Sequence, residues 1–134
     1  MFSFFLVSFT KKYLSSLIRF MKKHFLKISI EELIIFKKLE KTLMEFVPLK
    51  SDFRLSHLAY LIDFPEHKTT LLIKKIYGNR FEVVVNQYRL LYFEDLMNRE
   101  LFQEKKIIIS DLIKKSGFRS KSTYYATLKR RNAS

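Results

Sequence analysis

The chain has 134 residues, 48% of them hydrophobic and 16% aromatic, and a formal net charge of +13. That length holds one domain, or one domain and an arm; two glycines and two prolines argue against a turn-rich all-β fold, and so large a charge points to nucleic acid or an anionic membrane surface as partner. The absence of cysteine excludes disulfides, thiolate zinc sites and cysteine nucleophiles, which suits a reducing, cytoplasmic setting.

Residues 1–30 form the first segment. Lys11, Lys12, Arg19, Lys22, Lys23 and Lys27 all precede the first carboxylate, Glu31. Phe2, Leu6, Phe9, Tyr13, Leu17 and Phe20 recur at helical spacing, the pattern of a basic amphipathic helix. The apolar run at 2–9 is too short to cross a bilayer, which takes about 20 apolar residues, and it lacks the flanking charge and small-residue cleavage site of a signal peptide. Three readings stay open: an extra helix docked on the domain, a helix lying on an anionic membrane, or an arm tracking phosphate.

Residues 31–47 read as a packing helix, with Glu31 and Glu32 at its positive end, Leu39, Leu43 and Phe46 as its apolar stripe, and Pro48 as its stop. A short helix follows at 55–62, with Leu55, Leu58 and Ile62 on one side. Asp63 tolerates the left-handed turn conformation, and Pro65 suits the first turn of the next helix, which runs to Tyr77 with Leu72, Ile73 and Ile76 facing the core. Short helix, tight turn, second helix is a helix-turn-helix unit.

Gly78 closes that helix. Asn79 and Glu82 have capping-box spacing, and Phe81, Val84, Val85, Tyr88, Leu91 and Leu96 give a long helix of about five turns with one apolar face. Residues 98–106 are polar. The earlier pattern then returns, with a short helix ending near Ser116, a turn at Gly117, and a helix from Lys121 to about Arg131 capped by Ser120. Ala59 precedes Asp63 at the same interval that Ile113 precedes Gly117, so the chain is a weak internal repeat. The expected fold is all-α: two helix-turn-helix units on one bridging helix, with extra N-terminal helices.

No constellation carries enzyme chemistry. His24, His57 and His67 lack partners at metal-ligand spacing, and glycines at 78 and 117 alone cannot make a phosphate-binding loop. Neither an enzyme nor a cofactor or metal site is expected, and no small-molecule effector pocket can be argued from the residues.

Residues 49–131 resemble the DNA-binding domain of the AraC/XylS family of transcription regulators. Leu58-Ala59 corresponds to the family's Leu-Ala pair, Gly78 to its glycine after the first recognition helix, and Phe81 to the Phe that follows. The Asn-x-x-Arg stretch of its bridging helix looks like Asn86 and Arg89. The stretch Gly117-Phe118-Arg119-Ser120-Lys121-Ser122-Thr123-Tyr124-Tyr125 is similar to its Gly-Phe-x-Ser-x-Ser-x-Phe signature, with Leu128 and Lys129 in place of Phe-Lys. Ile113 and Phe93 stand where the family favours small residues, Asp63 where it has the turn glycine, and Thr69 where it has a core leucine. The family's final helix and upstream sensor domain have no counterpart, so 31–134 is expected to be a shortened AraC-type domain behind a packing helix.

The resemblance implies a regulator binding double-stranded DNA. In a helix-turn-helix the start of the second helix meets base edges, which nominates His67, Lys68, Thr70 and Lys74 in the first unit. In the second it nominates Arg119, Ser120, Lys121, Ser122, Tyr125 and Lys129, with Arg130 and Arg131 adding phosphate contacts. Asn86 and Arg89 are expected to hold the bridge to its neighbours. The competing expectations are a peripheral membrane protein, or a protein-interaction module built on a degenerate regulator fold.

Overall fold

The computed structural model of the protein describes residues 28–47 and 50–133. The expectations for the basic arm at 1–27 and for Pro48 lie outside the described residues. The described chain is all-α, in six helices: α1 (Ile30–Phe46), α2 (Leu55–Ile62), α3 (Glu66–Tyr77), α4 (Phe81–Phe102), α5 (Ile109–Lys115) and α6 (Lys121–Ala133).

Ser29 starts α1, its Oγ accepting the Glu32 N–H at 3.1 Å, so one of the free donors at the helix end is satisfied. Phe36, Leu39, Leu43 and Met44 are its buried face, and Phe46 packs at the edge of the same core. This helix is the expected brace, packed on α2 and α4. The Lys75 ammonium also ties it to α3, 2.8 and 3.1 Å from the two oxygens of Glu32.

The α2–α3 connection is fixed by its backbone. Asp63 is left-handed, at φ 54 and ψ 53, with its N–H on the Tyr60 carbonyl and the Phe64 N–H on that of Ala59, the paired bonds of a Schellman turn. Pro65 sits one position ahead of α3, as the residue before its first turn. Thr69, fully buried, donates its hydroxyl to the Pro65 carbonyl at 2.9 Å. The hydroxyl is thereby satisfied within its own helix, and a core position can hold threonine in place of leucine.

The start of α4 departs from expectation. Asn79 is not its cap: the Asn79 amide donates to the Tyr77 carbonyl at 3.4 Å, and the extended residue before the helix is Arg80. Glu82 makes no capping box and lies 3.8 Å from the Arg80 guanidinium. The far end also differs, since α4 continues through the polar stretch to Phe102 and closes on a second Schellman turn, with Glu104 at φ 55 and the Lys105 N–H on the Glu100 carbonyl. The polar residues Asn98, Arg99 and Glu100 are no obstacle, since Arg99 pairs with Asp95 one turn back and Glu100 lies 3.9 Å from the Lys115 ammonium, while Leu101 and Phe102 end the helix exposed.

In place of the single apolar face expected of it, α4 buries two. Val84, Val85 and Tyr88 enter a large core with α1, α2 and α3, where the Tyr88 and Tyr77 hydroxyls are hydrogen-bonded at 2.9 Å. Leu90 and Phe93 enter a smaller core with Leu112, Ile113, Phe118 and Tyr124 from the α5–α6 half. Phe93 and Ile113, at positions where the resembled family favours small residues, are thus packed inside. Phe93 lies against Tyr124 with ring centroids 4.6 Å apart.

Candidate nucleic-acid interface

Each half of the chain offers a short helix, a turn and a longer helix. In the second half Gly117 takes the left-handed position, at φ 89, that Asp63 fills in the first. Ser116 is buried, with its hydroxyl donating to the Leu112 carbonyl at 2.6 Å. Ser120 caps α6, its Oγ taking the Thr123 N–H at 3.2 Å, as expected of that residue.

Of the nominated residues in the first half, His67, Lys68 and Lys74 are exposed. Thr70 is only half-exposed, and its hydroxyl turns back to the Glu66 carbonyl at 3.2 Å. Its donor is therefore spent on its own helix. The Lys68 ammonium stands 6.0 Å from the Phe64 ring centroid. Lys68 and Leu71 also border a groove with Glu31 and Glu32 of α1, so carboxylates flank one side of α3. Leu71, 64% exposed, is an apolar residue on the outer face of α3.

In the second half Arg119, Ser120, Lys121, Ser122, Tyr125 and Lys129 are all exposed. The Tyr125 ring meets Tyr124 edge-on at 5.0 Å, which fixes one side of it and leaves the rest in solvent. Burial raises the Tyr124 hydroxyl pKa, and the neighbouring Tyr125 and Glu94 raise it further against the opposing pull of Arg131. Arg131 itself pairs with Glu94 of α4, so this side chain also ties α6 to the bridge. Ser120, engaged with Thr123 as a cap, has a structural task besides any contact it makes outward.

Asn86 and Arg89 do hold the bridge to its neighbours. The Arg89 guanidinium, 5% exposed, donates through Nη1 to Asn86 Oδ1 at 3.1 Å. Through Nη2 it donates to the carbonyls of Lys50 and Ser51 at 3.0 and 3.2 Å. Burial first, and then the nearby Arg119 cation, lower its pKa to about 10 against the opposing effect of Asp52. It remains charged at neutral pH.

Basic residues that no sequence pattern singles out join the nominated ones in space. Lys74 shares a groove with Gly78, Arg80 and Arg130, so the end of α3 and the end of α6 face one another across the start of α4. Arg119 borders a cleft of about 410 Å³ with Arg54 and Arg89. These groupings are tertiary. The one local signal, two cations preceding helices at Arg54 and Arg80, says nothing of what they meet.

Among the described residues no group of three or more His, Asp or Glu side chains is placed to hold a metal ion. No helix among them is long and apolar enough to cross a membrane. No protein-family model, curated protein or solved structure matches the chain.

Proposed function

We propose that the protein is a sequence-specific DNA-binding transcription regulator, a relative of the AraC/XylS regulators, that reads successive major grooves with two helix-turn-helix units. The observation that carries this reading is the structural repeat. Two short helices, each closed by a left-handed residue, lead into longer helices with exposed basic side chains near their starts, and both pairs are braced on α4.

On this reading α3 and α6 enter the groove. Lys68 and His67 in one unit, and Arg119 and Lys121 in the other, donate to guanine edges, while Ser122 and Tyr125 add hydrogen bonds and contact area. Lys74, Lys129 and Arg130 approach phosphates, and the net charge of +13 supplies attraction independent of base sequence. Because both units share α4, a single chain offers two reading helices as a fixed pair, without dimerisation. The partner is double-stranded DNA and the working compartment the cytoplasm; Asn86 and Arg89 serve the fold.

Binding of the full chain to a mixed-sequence duplex, followed by fluorescence anisotropy across a salt series, tests the proposal. Neutralising Z phosphates gives a slope of log affinity against log salt of about −0.9Z. Replacing Lys74, Lys129 and Arg130 together by Gln is expected to flatten that slope by about 2 to 3. An unchanged slope in the triple variant, or no binding near ~50 mM salt, refutes the reading.

A further inference from the structure

The cleft beside Arg89 is more than a gap between the two halves. Its floor is Asn86 and Arg89 of α4; its walls are the connection before α2, with Asp52 and Arg54, and the start of α6, with Arg119 and Thr123. Arg89 is buried as a cation, yet every acceptor it uses is neutral, an amide oxygen and two backbone carbonyls. Among the described residues no carboxylate reaches it within ion-pair distance, and its Nε–H has no hydrogen-bond partner. A buried guanidinium ordinarily finds a counter-charge, because an uncompensated one is costly.

Arg119 compounds that cost. It lies close enough to Arg89 to disfavour the Arg89 charge, and among the described residues it pairs with no carboxylate. Arg54 closes the third side. Two acids stand at the same cleft, Asp52 and Glu82; Glu82 leans to Arg80, and Asp52 only partly offsets the guanidinium pair. Three guanidiniums against two carboxylates leave the cleft cationic. Guanidinium forks match the geometry of carboxylate and phosphate oxygens. The volume of about 410 Å³ exceeds a bare phosphate and falls in the range of small-ligand sites, with Phe53, Phe81 and Val85 as an apolar wall.

We propose that this cleft is an oxyanion site in which Arg54, Arg89 and Arg119 clamp a phosphoryl or carboxylate group, with the apolar wall taking the body that carries it. The site shares Arg119 with the DNA-binding reading, while Arg54 and Arg89 lie outside the residues which that reading places in the groove. The oxyanion comes either from a free small molecule or from a phosphodiester of bound nucleic acid; the clamp chemistry is the same for both.

The test follows the Arg89 Nε–H resonance of the full chain by 1H–15N NMR while pyrophosphate is added, and in parallel while a short duplex is added. Pyrophosphate is expected to shift that resonance saturably, and Arg119→Gln and Arg54→Gln are each expected to weaken its binding at least about tenfold. Both replaced side chains are exposed, so the fold survives their loss, which circular dichroism checks. A shift produced by the duplex and not by pyrophosphate, and lost in Arg119→Gln, keeps the clamp and assigns it to a phosphodiester. No shift from either ligand, or shifts unaltered in both variants, overturns the proposal. Duplex affinity measured in Arg54→Gln, a residue outside the DNA-binding reading, separates the two: DNA binding that survives while the resonance stays still removes the clamp and leaves the regulator standing.

Discussion

Phe93→Ala decides whether the smaller core is well packed or strained. Phe93 is 2% exposed and stands where the resembled family favours a small residue. If the surrounding helices have repacked around it, removing the ring leaves a cavity and costs about 3–5 kcal/mol. Part of that loss is the aromatic contact with Tyr124, worth about 0.5–1.5 kcal/mol beyond area. If the ring is instead forced in, its removal relieves overpacking worth about 1–3 kcal/mol, and the variant is neutral or more stable. The packing favours the first outcome, because Phe93 meets Tyr124 at 4.6 Å in a tilted geometry and Phe118 meets Tyr124 edge-on at 5.5 Å. The smaller core has few members besides these, so the loss is expected to fall on α5 and α6. Native-state hydrogen exchange reads it directly: amide protection in α5 and α6 should drop on the order of 10²-fold, following about 3 kcal/mol, while α2 and α3 keep theirs. Equal loss in both halves would show one cooperative core, and a change under about 1 kcal/mol would show that the ring is overpacked. Either result refutes the reasoning.

Two other substitutions test local features. Burial raises the Glu40 carboxyl above its ordinary pKa, so its protonated form suits the folded state and its charge opposes folding at neutral pH. Glu40→Gln is therefore expected to raise the denaturant midpoint at pH 7, with the gain fading as pH falls through the raised pKa towards the ordinary value, where Glu40 itself is neutral; an equal gain at pH 4 would contradict this. Asp63→Gly removes the Cβ penalty at the left-handed turn residue, partly offset by the greater freedom of glycine in the unfolded chain, for a net gain of about 0.5 kcal/mol. Asp63→Ala should destabilise, and thermal melts of the pair check the sign.

The elements were readable where the signal is local. The span of α2, the end of α3 at Tyr77, the left-handed residues Asp63 and Gly117, and the Ser120 cap each depend on a few neighbouring residues, and each stands as expected. Asn79 shows the limit of such reasoning: its side chain can accept from a free N–H of the next helix or donate to a nearby carbonyl, and its amide donates to the carbonyl of Tyr77 without capping α4. The double burial of α4 was hidden because periodicity reports an apolar face but not which partner covers it. Val84 and Leu90 serve different cores, a division made only by the placement of α1 and α5. The arginine cleft was out of reach for the same reason, since residues 54, 89 and 119 meet only through the tertiary fold. Whether His67, Lys68 or Lys121 touch bases is a property of the complex.

The division of α4 between two cores also sets an order of events at the ribosome. The larger core draws its members from Ile28 to Tyr92, so it can close before α5 and α6 have emerged from the ribosome. The remaining stretch to Ala133 emerges last. Until then Leu90 and Phe93 stand uncovered on a helix whose first half is already anchored. The second half of the protein is thus laid down on a finished template, and the nascent chain carries an adhesive edge until Tyr124 arrives to cover it.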